Sequence, residues 1–216
     1  MNATLHTARL VLLCLIFSLA AVAQTADDSQ ETITFTKDFP GSVPEYISIT
    51  LRRDGRALYR MAPDEEPTSF EVSAKSTDQI FALVSQMNDF QGAMLESKRK
   101  VAAMGKKTFL FQNGEDQSEA SFNHTEDADA LALTDLFEKL AATQLHLNRI
   151  EYLLRFDKLG IVKELLQVEM DLDQGRLLDP ILLLPALERV RANASLVQMA
   201  QTRATGIIHK IQTNAD

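Results

Sequence analysis

Apolar residues recur every three or four positions through most of the second half of the chain, which is the spacing of a helix that packs on a partner. One run is Leu133, Leu136, Leu140, Thr143, Leu147, Ile150 and Leu154, with six apolar members out of seven. A second is Leu187, Val190, Ala194, Val197, Gln201, Ala204, Ile208 and Ile211, with seven apolar members out of eight. The two runs predict an antiparallel, coiled-coil-like pair of helices. Because one chain supplies both runs, we expect the pair to form within the molecule; a dimer interface is the alternative.

Residues that typically begin or end helices divide positions 127–212 into three predicted helices. The first begins among acidic residues, which the positive end of a helix dipole favours, and it ends at Gly160. After a middle helix, Asp179 and Pro180 form an N-cap and first-turn pair for the last one. Pro185 lies inside that last helix and predicts either a kink or a later start.

The first half of the chain alternates apolar and polar residues instead, which is typical of half-buried strands. Two such strands flank Gly55, the second residue of an Asp-Gly turn. We prefer a three-residue loop with Gly55 in the left-handed conformation over a two-residue loop. The longer loop pairs Leu51 with Ala57. It also pairs Ile49 with Tyr59, so the apolar residues fall on one face of the hairpin.

Further strands and one helix complete the first half. A capping box at residues 76–79 begins a helix whose apolar stripe would lie on the sheet. Strands are predicted at 33–36, 68–73, 108–112 and 118–123, and the stripe consists of Ile80, Leu83, Val84 and Met87. The predicted fold class is α+β: a small antiparallel sheet with one packed helix, followed by a C-terminal antiparallel helical hairpin or three-helix unit. We place the sheet domain at residues 24–125 and the helical region at residues 126–216.

Residues 1–23 have the composition of a signal peptide. A short segment containing Arg9 precedes an apolar run, and a small-x-small pattern ends at Ala23. The run is shorter than the roughly 20 residues that span a membrane, so we expect cleavage, no transmembrane span afterwards, and a periplasmic or secreted protein. An uncleaved anchor is the alternative. Cleavage would remove Cys14, the only cysteine, and leave a chain without disulfides or thiolate metal ligands.

The first half resembles uncharacterised secreted bacterial families in the order of its elements. Their pattern is a strand-Asp-Gly-strand hairpin, a helix packed on the sheet and a second hairpin. The resemblance is carried by residues 47–59, by the helix over 80–90 that ends in Met-Asn-Asp-Phe, and by Gly-Lys-Lys-Thr-Phe at 105–109. It implies a fold but no site residue, because those families have no established activity.

The charge balance argues against nucleic-acid binding, since phosphate contacts need cations. Without residues 1–23 the chain keeps 21 basic and 30 acidic residues, a net charge of −9. One basic cluster stands out against this background: Lys98, Arg99, Lys100, Lys106 and Lys107. It indicates either an external anionic partner, such as an acidic protein or an envelope component, or neutralisation by the six acids between positions 115 and 129 of the same molecule.

No sequence pattern indicates catalysis. The chain has no Gly-x-Ser-x-Gly motif, no glycine-rich phosphate loop and no EF-hand loop, and we expect no cofactor and no metal. Acids near His124 could hold a cation, but we favour a solvated turn there; His146 and His209 are expected to be surface or packing residues. We therefore expect an exported, non-enzymatic protein that acts as an interaction or envelope-associated module. The alternative is a hydrolase or metal-dependent enzyme whose site the sequence does not show.

Overall fold

The computed structural model describes residues 31–214, and the predicted signal peptide lies outside these described residues. The strands are β1 (Thr32–Asp38), β2 (Tyr46–Arg52), β3 (Arg56–Arg60), β4 (Thr68–Glu71), β5 (Lys106–Asn113) and β6 (Asp116–Phe122). The helices are α1 (Ala74–Gln86), α2 (Ala128–Phe156), α3 (Ile161–Asp173), α4 (Leu184–Ala192) and α5 (Gln198–Asn214), with 3-10 turns at Asn88–Phe90 and Pro180–Leu183. None of the described helices is long and apolar enough to cross a membrane. The α+β fold class, with its C-terminal helices, is confirmed.

The six strands form one antiparallel sheet in the order β4-β3-β2-β1-β5-β6. The preferred register of the first hairpin is confirmed, because Leu51 pairs with Ala57 and Ile49 pairs with Tyr59. Gly55 has a φ of 86°, the left-handed conformation that this loop requires. A Cβ at Gly55 would lie 2.8 Å from the carbonyl oxygen of Val72, so any other residue at this position would collide with the neighbouring backbone.

One face of the sheet carries the core of the first half of the molecule. Phe35 of β1 and Phe109 of β5 are fully buried there, as pleating places alternate strand residues on the same face. Phe137 of α2 stacks on Phe35 with ring centroids 5.2 Å apart, and Phe90 stacks on Phe109 at 5.3 Å. Helix α1 and the first half of α2 therefore cover the same face, and the sheet and helices form two layers.

The second half of α2 packs in a separate apolar cluster with α3, α4 and α5. Ile150, Leu165 and Leu187 belong to this cluster and are fully buried. Pro185 lies in the first turn of α4, after the 3-10 turn, so the predicted later start of this helix is confirmed.

The predicted single last helix is wrong, because residues 193–197 separate α4 from α5. Asn193 leaves the helical conformation at φ −84°, ψ 98°, and its side-chain oxygen accepts hydrogen bonds from the backbone N–H and the hydroxyl of Ser195. Such local side-chain bonds compete with the helix. As a result Ala194 and Val197 of the predicted run are exposed.

The predicted capping box is also wrong, because α1 begins earlier, at Ala74. Ser73 is the N-cap, and its hydroxyl accepts the N–H of Ser76 at 3.2 Å. The hydroxyl of Ser76 is used elsewhere: it donates to Asp179 at 2.6 Å. Asp179 also accepts from the N–H of Ser73 at 2.6 Å and from its hydroxyl at 2.9 Å.

Asp179 therefore caps a helix that lies 106 residues earlier in the chain. It makes no side-chain cap on the 3-10 turn that follows it, although the sequence predicts it as a local N-cap. The residue before Asp179 is also held in place. The backbone carbonyl of Leu178 accepts a hydrogen bond of 2.7 Å from the hydroxyl of Thr143 in α2. This connection joins the helical half of the molecule to the start of α1.

Replacing Asp179 tests this long-range cap. We expect Asp179→Ala to lower the free energy of unfolding by about 1–3 kcal/mol, because it leaves an N–H and two hydroxyls of α1 without their acceptor. Urea unfolding followed by circular dichroism measures the change. Asp64→Ala, at an exposed loop carboxylate, is the control, and an equal loss of stability in both variants would contradict the assignment.

Candidate functional site

The basic cluster lies at one end of the sheet, in the segment that leads into β5. Lys98, Arg99 and Lys100 are exposed on an irregular loop, and Lys106 is exposed at the start of β5. Lys107 differs from the other four, because it is buried. The structure therefore brings four of the predicted binding residues to one surface and directs the fifth inward.

Asn123, the residue after β6, fixes this loop from several directions. Its backbone N–H donates to the Glu96 carboxylate at 2.6 Å, and its side-chain oxygen accepts the N–H of Met104 at 2.6 Å. Its side-chain N–H₂ donates to the carbonyl of Ala102 at 3.2 Å. The N–H of Ser97 adds a bond of 2.7 Å to the carbonyl of the residue that follows Asn123. The loop thus has a defined shape without regular secondary structure.

Lys107 closes the base of the same loop. Its ammonium donates to the backbone carbonyls of Met104 and Asn123, each at 3.3 Å, and lies 5.8 Å from the centre of the Phe122 ring. Burial lowers the pKa of Lys107, as expected for a cation moved away from water. Its carbonyl ligands make it a structural clamp between the loop and the end of β6.

Arg99 has an acidic partner inside the molecule. Its guanidinium donates to Glu126 at 3.1 Å, and Glu126 also accepts the hydroxyl of Ser97. The hydrogen bonds from Arg99 and Ser97 lower the pKa of Glu126. Glu126 is one of the six acids between positions 115 and 129, so internal neutralisation accounts for one cation of the loop.

The remaining three cations have no such partner. Within residues 31–214, Lys98, Lys100 and Lys106 form no ion pair. Val101 and Met104 are exposed between them. The outer surface of the loop therefore alternates free ammonium groups with apolar side chains.

A second cluster of charged groups, which the sequence analysis did not predict, lies between α2 and α3. His146 of α2 is 7% exposed, and its two ring nitrogens contact two carboxylates of α3. Nδ1 lies 2.7 Å from Glu164, and Nε2 lies 3.0 Å from Asp171. Arg149 pairs with Glu164 at 2.9 Å, and Arg176 pairs with Asp171 at 3.4 Å.

This geometry favours a protonated imidazole. A neutral ring donates through one nitrogen only and would direct the lone pair of the other at a carboxylate oxygen. Burial by itself lowers the pKa of His146, but the hydrogen bonds and charges of Glu164 and Asp171 outweigh burial and raise it. Burial likewise raises the pKa of Asp171, but the hydrogen bonds from Gln167 and His146, with the histidine charge, outweigh it and the net pKa is lowered.

The signal for this cluster was present in the sequence but ambiguous. Glu164 and Asp171 are seven residues apart, so they project from the same face of α3 two turns apart. Arg149 lies three residues after His146 and therefore next to it on α2. Nothing in the spacing shows which acids of a chain rich in acids meet the histidine, because that depends on how α3 folds back on α2.

An exposed aromatic pair marks the C-terminal end of α2. Tyr152 and Phe156 are 59% and 72% exposed, and their ring centroids are 5.1 Å apart. They line an open groove of about 720 Å³ that also contains Met61 and Thr68. The groove lies at the opposite end of α2 from the basic loop, and charged side chains such as Glu65 and Arg155 also line it.

The other candidate ligands are not gathered into a metal site. Among the described residues, no three His, Cys, Asp or Glu side chains are placed to hold a metal ion. His209 is exposed on α5, and both ring nitrogens of His146 already contact carboxylates.

Comparison with known proteins gives no relationship on which to base a function: no protein-family model matches the chain, and no curated protein matches it either.

Titration of His146 should appear in the stability of the protein. A raised histidine pKa contributes stability that is complete below the unfolded value of about 6.5 and is lost as pH rises through the folded pKa. We therefore expect the free energy of unfolding to fall toward alkaline pH. The variant His146→Gln should lose that dependence and be less stable near pH 6, because Glu164 and Asp171 lose the buried cation between them and keep only exposed arginines as cationic partners.

Denaturant unfolding at a series of pH values between about 6 and 9 measures this effect. The variant His209→Gln, which removes an exposed histidine, is the matched control and should follow the pH dependence of the unsubstituted protein. If the curves of the unsubstituted protein and of His146→Gln run parallel, the imidazolium assignment fails.

Proposed function

We propose that the protein is an exported, non-enzymatic interaction module that binds an acidic partner protein through Lys98, Lys100 and Lys106. The observation that carries this proposal is that these three ammonium groups are exposed and form no ion pair within the described residues. Like charges repel, so a fold has no stability reason to keep them together without a counter-charge. An acidic protein surface supplies that counter-charge.

The fixed shape of the loop supports this role. Five hydrogen bonds join residues 96–107 to Asn123 and to the carbonyl of the next residue. A binding loop that is already ordered loses less conformational entropy when its partner docks. Val101 and Met104 add apolar contact area between the cations, and such a mixture is typical of protein interfaces.

Export rests on the composition of residues 1–23, and it makes a periplasmic or secreted location part of the proposal. An envelope-associated role is compatible with the same loop. Nucleic acid is a poor candidate for the partner, because the chain without those residues has a net charge of −9.

The alternative, a hydrolase or metal-dependent enzyme, has less support. Catalysis needs titratable groups that converge on an accessible cavity. The one buried histidine described above has its two nitrogens occupied by carboxylates and serves as a bridge between helices.

Charge reversal separates binding from stability. We expect Lys98→Glu/Lys100→Glu/Lys106→Glu to leave the melting temperature nearly unchanged, because exposed charges contribute little to stability. It should abolish capture of the acidic partner from an envelope extract, and capture by the unsubstituted protein should weaken as salt rises. Quantitative mass spectrometry of the captured proteins at low and high salt measures both effects.

Two further variants complete this design. Lys75→Glu/Lys163→Glu/Arg155→Glu reverses three exposed cations outside the loop and should retain the partner. Lys107→Met removes the buried clamp and should lower stability, because the carbonyls of Met104 and Asn123 lose their donor. An unchanged set of captured proteins after reversal of the three loop lysines would refute the proposal. Loss of binding to anionic lipid vesicles, with no loss of any protein, would refute the assigned partner class.

A further inference from the structure

The second face of the sheet carries no helix in the part of the chain that the structure describes. All the strand residues of the core, such as Phe35 and Tyr59, point to the opposite face. The open face is lined by hydroxyl-bearing side chains and two leucines, and we call it the open sheet face. It consists mainly of Thr34, Thr36, Ser48, Thr50, Leu58, Thr108, Leu110 and Ser121.

One cross-strand row of this face is symmetric about the middle of the sheet. Leu58 of β3 pairs with Thr50 of β2, which pairs with Thr34 of β1, which pairs with Leu110 of β5. Read across the four central strands, the row is therefore Leu-Thr-Thr-Leu. A two-fold axis parallel to the strands, between two stacked sheets, would place Leu58 of one copy against Leu110 of the other.

Four hydroxyls of the open sheet face bond to one another in two pairs. The hydroxyls of Thr34 and Thr50 are 2.9 Å apart, and those of Thr108 and Ser121 are also 2.9 Å apart. Burying a hydroxyl is costly when it loses its partner, but these would keep theirs. Covering these four hydroxyls therefore costs less in desolvation than covering hydroxyls without a partner.

Charged residues of both signs lie on each side of the open sheet face. Arg56 and Arg60 project from β3 on one side, where Glu71 of β4 lies opposite Arg56. On the other side, Glu119 projects from β6 and Lys106 from the start of β5. The two-fold axis would stack β3 on β5 of the second copy and β4 on its β6. Because each side carries both signs of charge, the stacking brings no large like-charged surfaces together.

A groove lies beside Leu58 on this face. Leu58 is 40% exposed and lies in an open groove of about 560 Å³ that is also lined by Thr50, Arg56 and Ser69. In the stacked arrangement, Leu110 of the second copy enters this groove.

We infer that the open sheet face is the interface of a two-fold symmetric homodimer, with Leu58 of each copy packed on Leu110 of the other. The interface is isologous, as in most homodimers. Strand spacings of about 4.8 Å and residue spacings of about 3.4 Å give a face of roughly 24 by 20 Å, or about 1,000 Å² buried in total. That is at the lower limit of about 1,000 Å² for a specific interface, so the dimer should be weak and reversible.

Complementary charge substitutions test the arrangement. A homodimer of Leu58→Glu would place a carboxylate against Leu110 at both symmetric contacts. A homodimer of Leu110→Lys would place an ammonium against Leu58 at both contacts. Each variant alone should dissociate at least about tenfold more readily than the unsubstituted protein, because a charge is buried without a partner. An equimolar mixture should recover a heterodimer, in which one contact is Glu against Lys and the other is Leu against Leu.

Sedimentation equilibrium of the purified protein over a micromolar concentration series measures the association, and circular dichroism confirms that each variant is folded. Leu131→Lys, at an exposed apolar residue of α2, is the matched control and should dimerise normally. A monomer at all concentrations would overturn the inference. So would a dimer that survives both single substitutions, or a mixture that stays monomeric, since either result excludes the Leu58–Leu110 contact. The assay contains no acidic partner, so its outcome is independent of the proposed function.

Discussion

Helix α2 is the element on which the rest of the structure depends, because its 29 residues contribute to both hydrophobic cores. Its first half packs Phe137 onto Phe35 of the sheet, and its second half packs Ile150 among the other C-terminal helices. An ion pair of 2.7 Å between Lys37 of β1 and Glu138 adds to the contact with the sheet. One continuous helix therefore fixes how the two halves are placed, which apolar contacts alone do not specify, since they are not directional.

Directional polar contacts complete that specification. Asp179 caps α1 from the segment between α3 and α4, and His146 joins α2 to α3 through two carboxylates. Asp179 and His146 are charged groups in partly or fully buried positions. Removing the partner of a buried charge typically costs several kcal/mol. Helix packings that separate these groups are disfavoured, and the fold gains a single arrangement at both junctions.

The basic loop and the open sheet face meet at Lys106, and the inferred symmetry relates the loops of the two copies. An axis parallel to the strands leaves the ends of the strands on the same side, so both basic loops of a dimer would face the same direction. Two loops presented together can engage two acidic sites on one partner, and the second contact then forms at a high effective concentration. A weak dimer could in this way become more stable when the partner is bound.

Local sequence determined most of the elements and the register of the first hairpin. Alternation fixed which strand residues face the core, and Gly55 supplied the only backbone conformation that brings Ile49 opposite Tyr59. Three-to-four spacing likewise located α2 and α3. These features depend on neighbours along the chain, so a linear pattern is enough to predict them.

Tertiary structure decided how the polar groups are used. The Asp-Pro pair at 179 looks like a local cap, yet its carboxylate serves α1, and the Asn-x-Ser sequence at 193 divides a helix that apolar spacing alone would continue. The five cations of the basic cluster are equivalent in sequence, but folding buries Lys107 against carbonyls and pairs Arg99 with Glu126. The other three form no ion pair with any residue between 31 and 214. The physical reason is the range of the contacts: a hydrogen bond or ion pair forms between whichever groups the packed chain brings within about 3 Å, and sequence separation carries no information about that distance.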